Sequence, residues 1–205
     1  MLQNIHPTKF SILQAAVEVF GKKGFNGATT KEIAKAAGIS EGTIFRHFQN
    51  KTEILYEVVN SVVPLIGVEP LKECIEDCNN LDGREALQHI IQNRFETISA
   101  SKVFMRIILT EIQYDIGLRN IYLKRGYEPI CKILKEFLLC RMEKGEFRKI
   151  NPEVIINVFY SYILFSIESQ HLLGDTHKQK FLEQSLSRDL TDLLFDGIKG
   201  REGNE

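Results

Sequence analysis

Residues 35–51 read KAAGISEGTIFRHFQNK, a run of small, apolar and cationic residues that determines how the N-terminal part of the chain is interpreted. Gly38 breaks the helical pattern, and Ser40 is a natural N-cap for a second short helix. At about 100° per residue, Ile44 and Phe48 fall on one face of that second helix and are predicted to pack inward. The stretch therefore predicts two short helices joined by a tight turn.

The outward face of the second helix has the composition of a surface that reads DNA. Gly42 lets the backbone approach closely, Thr43 and Arg46 can hydrogen-bond base edges, and Phe45 can contact a thymine methyl or a sugar edge. His47 lies nearer the edge of this face. A short helix, a Gly-containing turn and a second short helix form the helix-turn-helix arrangement, so double-stranded DNA is the predicted partner.

Helical patterns flank this stretch on both sides. A capping box of Thr29 and Glu32 opens the helix before the turn. A further helix is predicted to end at Val63, because Pro64 follows it. A first helix is predicted from apolar residues at three- and four-residue spacing, ending near Gly24. These apolar residues are Phe10, Leu13, Val17 and Phe20.

Composition and charge limit the classes of protein that the chain can belong to. Hydrophobic residues make up 43% of its 205 residues, and the net charge is −1. Residues 1–55 carry seven Lys and Arg against four acids, whereas the remainder carries 19 against 23, so a polyanion partner fits the N-terminal part alone. The N-terminal residues lack the order of a secretory signal, and no apolar run reaches about 20 residues. The sequence predicts a cytoplasmic protein without a membrane span.

Two segments resemble a known family. Thr29 to Leu55, TTKEIAKAAGISEGTIFRHFQNKTEIL, resembles the DNA-binding signature of TetR (tetracycline-repressor-like) transcriptional regulators, and ILQAAVEVFGKKGF before it matches the first helix. GEFRKINPEVIINVFYSYI, from Gly145 to Ile163, resembles the start of the family's eighth helix. The resemblance implies an all-helical, two-domain homodimer that represses transcription at a palindromic operator until a small molecule binds.

The resemblance also implies a set of DNA contacts. Thr29 and Thr30 match positions that meet phosphate, and Lys51 matches a phosphate-binding lysine. The recognition-helix positions are Glu41, Gly42, Thr43, Phe45, Arg46 and His47.

Several of these roles have alternatives. Many members of the family have a tyrosine at the position of Phe45. The hydroxyl contact of that tyrosine is missing here, and the phenylalanine ring can instead pack on the following helix. Glu41 accepts a hydrogen bond from cytosine or complements the helix dipole. His47 donates to phosphate as a neutral ring or packs at the edge.

The body of the chain, residues 51–205, reads as a helical regulatory and dimerisation domain after a DNA-binding domain of residues 1–50. Two helices are predicted from EALQHIIQNRFETI and KVFMRIILTEI, and a long helix from Leu118 to Lys144 is predicted to kink at Gly126 and Pro129. Aromatic and flexible side chains line an apolar ligand cavity or form ordinary core. They are Phe95, Phe104, Met105, Ile108, Tyr127, Phe159, Tyr162 and Phe165.

Two C-terminal helices carry more apolar surface than one subunit can cover. One has Asn151 as its N-cap and Pro152 as its first helical residue. The other, the last helix of the chain, includes Phe181 and Leu182. This excess predicts a two-fold four-helix bundle between subunits. The predicted interface residues are Ile163, Phe165, Ile167, Leu186, Leu190, Leu193 and Leu194.

Other classes of protein receive less support. The sequence shows no nucleotide-binding loop and no nucleophile beside a base, so no catalytic residue, cofactor or metal site is predicted. Cys74 and Cys78 share a helical face, but small buried hydrophobes explain them better than a metal or redox site. A DNA-binding dimer without a small-molecule effector is the alternative function, and the apolar lining favours a lipophilic or acyl-chain effector.

Overall fold

The structure, a computed structural model, describes residues 6–173 and 184–198 and is all-α there, with no β-strand in these residues. Ten α-helices occur in the described part of the chain. Their bounds are α1 Pro7–Gly27, α2 Thr30–Ala36, α3 Glu41–His47, α4 Lys51–Val63, α5 Glu69–Asp77, α6 Gly83–Glu111, α7 Ile116–Tyr122, α8 Glu128–Glu143, α9 Pro152–Leu173 and α10 Gln184–Ile198. The predicted fold class is confirmed.

The chain forms two compact units. Unit 1 contains Met1–Pro64 and Val103–Arg125, and unit 2 contains Leu65–Lys102 and Gly126–Glu205. The long helix α6 therefore contributes residues to both units. The division of the chain into functional domains at residue 50 stays a prediction.

Local capping explains where the helices of unit 1 begin. Thr29 and Glu32 form the predicted capping box at α2, with Glu32 N–H donating to Thr29 Oγ1 and Thr29 N–H donating to Glu32 Oε2. Ser40 caps α3 and Asn50 caps α4. Gly24 has the left-handed φ of +72° expected of it, although helix resumes for one more turn as far as Gly27.

A side-chain pair ties α7 to α4 within unit 1. Tyr56 Oη donates to Asp115 Oδ1 at 2.5 Å, and the same carboxylate caps α7 by accepting from the Leu118 N–H at 2.9 Å. The hydrogen bond from Tyr56, followed by that from the Leu118 N–H, lowers the pKa of Asp115. The hydrogen bond to Asp115 raises the pKa of Tyr56, with burial as a second cause.

The predicted end of α4 at Val63 is confirmed, although a π-helical turn at Pro64–Val68 follows it directly and leads into α5. Two other helix predictions differ from the structure. The predicted helix from Leu118 is interrupted by a π-helical turn at Leu123–Tyr127, which absorbs the irregularity expected at Gly126. The two segments predicted as separate helices are parts of α6, where no residue breaks the pattern.

One helical stretch of the described residues is long and apolar enough to cross a membrane. It is Lys51–Asn80, which combines α4, the π-helical turn after it, α5 and the short helical turn that follows α5. Its side chains Ile54, Leu55 and Val58 are buried in the structure. Core helices of soluble proteins pass the same test, so length and composition alone are weak evidence for a span.

The buried side chains of unit 2 come mainly from α5, α6, α8, α9 and α10. The start of α9 is as predicted, with Pro152 as its first residue and Glu153 N–H donating to Asn151 Oδ1 at 3.0 Å. Arg141 on α8 is buried and pairs with Glu146, and it also donates to the backbone oxygens of Leu81 and Cys78. The predicted apolar residues Phe181 and Leu182 lie outside the described residues.

Candidate nucleic-acid interface

The turn before α3 fixes the direction of the helix. Gly38 has a φ of +69°, which few side chains tolerate, and Ile39 N–H donates back to Ala34 O at 3.0 Å. Ser40 then accepts from the Thr43 N–H at 3.2 Å, and the two hydroxyls of these residues lie 2.8 Å apart. Capping therefore positions α3 rigidly behind a glycine turn.

The two faces of α3 differ in the way that the helical wheel predicts. Ile44 and Phe48 are 0% and 3% exposed. On the other face Gly42, Phe45 and Arg46 are exposed, Phe45 to 53%. A Cβ on Gly42 would meet only Ser40 Oγ, at 3.8 Å, so packing within the protein does not require glycine there.

Arg46 is the cation best placed to reach a base edge. Its side chain is exposed, and it forms no ion pair or hydrogen bond with a residue that the structure describes. His47 is partly exposed, and its ring lies 5.6 Å from that of His6, the N-cap of α1. Arg46 therefore keeps its donors available, whereas His47 also has a contact within unit 1.

The two threonines and Glu41 are engaged inside the protein. Thr29 Oγ1 donates to Glu32 Oε2 at 3.0 Å as part of its capping role. Thr30 Oγ1 donates to Glu41 Oε1 at 2.6 Å, which ties the start of α2 to the start of α3. Their phosphate contacts stay predictions, and the Thr30 bond gives Glu41 a structural role that fits its place in the first turn of α3.

The hydrogen bond from Lys23, followed by that from Thr29, lowers the pKa of Glu32, which accepts from both side chains. The carboxylate is therefore held in its charged form at the start of α2.

Lys51 occupies a position that the sequence did not indicate. Its ammonium donates to the backbone oxygens of Phe25 at 2.6 Å and Ala28 at 2.9 Å, with a longer contact to Asn26 at 3.5 Å. It also lies 4.5 Å from the centre of the Phe25 ring. The predicted phosphate lysine thus closes the C-terminal end of α1, where backbone carbonyls lack helical partners.

Two further cations were not predicted as DNA contacts. Lys31 and Lys35 on α2 are exposed and make no ion pair among the residues described. They lie on the helix before the turn and contribute to the excess of positive charge in residues 1–55 that the sequence shows.

An apolar pocket lies within unit 2. Only Phe159 of the eight predicted pocket residues lines it. Phe104, Met105 and Ile108 are buried in unit 1, while Phe95 stacks on Tyr162 at 5.6 Å between ring centres. The lining residues are Leu87, Ile90, Ile91, Leu134, Phe137, Leu138, Ile155, Ile156, Phe159 and Leu194.

Tyr127 and Phe165 complete the predicted pocket set. Tyr127 packs edge-on against Tyr160 with ring centres 4.9 Å apart. Phe165 is 42% exposed. The sequence could not separate lining residues from core, because both are apolar at helical spacing.

The predicted interface residues divide by exposure. Ile163, Ile167 and Leu190 are buried within the chain, so their side chains are not available at its surface for contact with a partner. Leu193 is 72% exposed, and Phe165 is partly exposed. Leu186 and Leu194 are intermediate, and Leu194 lines the pocket.

The cysteines sit in apolar surroundings. Cys74 and Cys78 are buried, and burial raises the pKa of the Cys74 thiol to about 12. Burial also raises the pKa of Cys78 and of Cys131. The Cys74 thiol is therefore protonated at neutral pH. Among the described residues, no group of three or more His, Cys, Asp or Glu could hold a metal ion.

The geometry of α2, the glycine turn and α3 defines a helix-turn-helix DNA-binding protein, and comparison with known proteins agrees. The family described as "Bacterial regulatory proteins, tetR family" matches residues 12–58. HTH-type transcriptional regulator UidR of Escherichia coli strain K12 is 37% identical over 158 residues, which is 75% of this chain and 74% of that protein.

Two further relatives are similar over almost their whole length. Fatty acid metabolism regulator protein of Bacillus subtilis strain 168 is 25% identical over 199 residues, 95% of this chain and 97% of that protein. The crystal structure of transcriptional regulator FadR from Bacillus subtilis in complex with stearoyl-CoA has the same fold, with a TM-score of 0.75 and 23% identity over 92% of this chain and 98% of that one. The chain belongs to the TetR family of transcriptional regulators.

Proposed function

We propose that this TetR-family regulator is a homodimeric repressor that binds a palindromic operator with α3 and leaves it when a small lipophilic effector binds. One observation carries the DNA-binding part. Arg46 stands exposed and unpaired with any described residue beside exposed Gly42 and Phe45, on the face opposite buried Ile44 and Phe48. This is the arrangement needed to insert one helical face into a major groove.

The effector part rests on the pocket of unit 2. Its walls are entirely apolar, which suits a hydrocarbon chain better than a sugar or a nucleotide. Relatives of similar length support this choice, because one is named a fatty acid metabolism regulator and another was crystallised with stearoyl-CoA. An acyl chain is therefore the proposed chemistry of the effector's apolar part.

The dimer is proposed from exposed apolar side chains near the C-terminal end. Leu193 on α10 and Phe165 on α9 expose large apolar surfaces that a second copy of the chain would cover. In this proposal residues 1–50 carry DNA recognition, and residues 51–205 carry effector binding and dimerisation. An effector that binds two arrangements of the dimer unequally then shifts the population between DNA-bound and free forms.

The test begins with selection of the operator from a random duplex library by the full-length protein. An inverted repeat is expected, since a two-fold dimer presents two equivalent α3 helices. Fluorescence anisotropy then follows release of the labelled operator on addition of dodecanoate, dodecanol or lauroyl-CoA.

Two results would contradict parts of the proposal. An enriched sequence without two-fold symmetry would contradict the dimeric arrangement. Operator release by none of the acyl compounds would contradict the lipophilic effector. It would favour the alternative, a DNA-binding dimer that acts without a small-molecule effector.

A further inference from the structure

Arg94, on α6 in unit 2, is a buried cation without a carboxylate partner. Its side chain is 5% exposed. Nη1 donates to Gly67 O at 2.5 Å, while Nε and Nη2 both donate to Asn93 Oδ1, Nε at 3.1 Å. None of the described residues forms an ion pair with it. Arginine is almost never fully buried unless it is paired, so this position needs an explanation.

Arg141 shows how the same unit buries a structural arginine. That guanidinium is 4% exposed and pairs with Glu146 Oε2 at 2.8 Å, in addition to two backbone oxygens. Arg94 has neutral acceptors only.

Cys74 is the titratable side chain that could offset the charge of Arg94 most directly, but its thiol supplies no negative charge. Burial raises the pKa of that thiol to about 12. Burial lowers the pKa of Arg94 to about 10, and the guanidinium still carries its charge at neutral pH. The positive charge of Arg94 is therefore not compensated by any residue that the structure describes.

Arg94 is not one of the residues that line the apolar pocket, but it lies on the next turn of the same helix. Leu87, Ile90 and Ile91 line the pocket from α6, and Arg94 follows Ile90 by four residues and Ile91 by three. Residues at these spacings lie on one helical face, about 5–6 Å apart. The charge is therefore on the turn of α6 that follows the apolar lining.

The facing helix shows the same continuation. On α9, Phe159 lines the pocket, and Tyr162, one turn further on, stacks on Phe95 beside Arg94 in the sequence. Both walls of the pocket thus extend by one turn in the direction of Arg94.

We propose that Arg94 binds the anionic head group, a carboxylate or a phosphate, of an amphiphilic effector whose hydrocarbon chain lies against Leu87, Ile90 and Ile91. A guanidinium has five N–H donors, of which three are used by Asn93 and Gly67. One donor on Nη1 and one on Nη2 are left for a bidentate anion. This inference rests on the proposed function, because it names the head group of the same effector.

The anion would supply the missing counter-charge in surroundings where charge-assisted hydrogen bonds are strong. The same reasoning explains why arginine stands where leucine would complete the apolar stripe. The π-helical turn that contains Gly67 contributes one of the two acceptors that orient the guanidinium, and such turns are frequent at functional sites.

The test compares ligands that share a twelve-carbon chain and differ in the head group. Isothermal titration calorimetry measures the dissociation constants of dodecanoate, monododecyl phosphate and dodecanol on the full-length protein and on Arg94→Met. We expect the native protein to prefer an anion over the alcohol. Loss of a buried charge-assisted contact corresponds to about a 10- to 100-fold weaker binding of that anion to Arg94→Met. Dodecanol binding should change by less than about threefold, since its chain keeps its contacts.

Comparison of the two anions distinguishes a carboxylate from a phosphate ligand, and lauroyl-CoA tests a head group that extends further from the chain. Arg84→Met is the matched control, because Arg84 lies on the same helix but is exposed and paired with Asp192. It removes the same charge and should leave the preference for an anion unchanged. Arg94→Lys keeps the charge without the planar fork and should retain part of that preference.

A merely structural Arg94 would give a different pattern. Arg94→Met would then weaken all ligands alike and would lower the thermal stability of the ligand-free protein. Equal affinity of the native protein for dodecanol and the anions, or no binding of any of them, would also overturn the proposal.

The outcome is separable from that of the proposed function. Binding of dodecanoate through Arg94 without operator release would leave the site in place and refute the repressor switch. Equal operator release by dodecanol and dodecanoate, unaffected by Arg94→Met, would refute the head-group site and leave the repressor switch in place.

Discussion

Replacing Lys51 by methionine removes the ammonium group that closes α1 and keeps most of the aliphatic chain. The two shorter hydrogen bonds, to Phe25 O at 2.6 Å and Ala28 O at 2.9 Å, are charge-assisted. Such bonds contribute about 1.5–3 kcal/mol each, and the contact with the Phe25 ring adds about 0.5–1 kcal/mol. Because one partly exposed ammonium makes all these contacts, they are not additive. We expect the free energy of unfolding to fall by about 2–4 kcal/mol.

Urea denaturation followed by far-ultraviolet circular dichroism measures this loss as a lower midpoint at an unchanged slope. Lys35→Met is the matched control, because Lys35 is exposed on α2 and has no ion pair with a described residue. Its removal should change the unfolding free energy by less than about 0.5 kcal/mol.

The phosphate role implied for Lys51 by the family resemblance is measured separately, by salt titration of operator binding. A lost phosphate contact flattens the slope of log affinity against log salt by about one per half-site, or about two for a dimer. Because two of the three N–H groups of Lys51 already bond short to carbonyls, we expect a smaller change. Native-like stability of Lys51→Met together with a slope change of about two would refute the capping role.

Three further predictions follow from the structure. Arg46→Ala should reduce discrimination between operator and scrambled duplex by about 1–3 kcal/mol per half-site, measured by anisotropy, and equal losses on both duplexes would contradict base reading. Leu193→Glu and Phe165→Glu should sediment as folded monomers, since their exposed side chains contribute little to the subunit core but a buried charge opposes association; wild-type dimers would place the interface elsewhere. Tyr56→Phe removes the main cause of the lowered pKa of Asp115. The stability that this bond adds is present above the unfolded carboxyl pKa of about 3.9 and is lost as pH falls through the folded value. The difference in urea midpoint should therefore be present at pH 7 and shrink below about pH 4, and a difference that grows on acidification would contradict this linkage.

The parts of the fold that could be predicted from sequence are those set by short-range chemistry. The capping box at Thr29, the cap at Ser40 and the opposed faces of α3 depend on residues within about four positions of one another. The end of α4 before Pro64 was also predicted correctly, but local propensity does not reveal the π-helical turn that leads from there into α5.

The candidate sites were predicted less completely, because their partners are distant in sequence. The carbonyls that accept from Lys51 lie 23 to 26 residues earlier, and no spacing rule connects them. Arg94 did leave a signal, a single charge in an apolar stripe after Ile90 and Ile91. Its significance depends on burial, which a sequence does not give directly.

The two faces of α3 also bear on how this regulator can diverge. Ile44 and Phe48 hold the helix in place, while Gly42, Phe45 and Arg46 make no contribution to the core. Under the proposed function, mutations at the outward positions would change which operator is bound without endangering folding. After gene duplication, one copy could acquire a new set of target promoters through two or three codon changes while the rest of its sequence stayed constant. Variation concentrated at these positions among such copies would record a change of targets and not a decay of the protein.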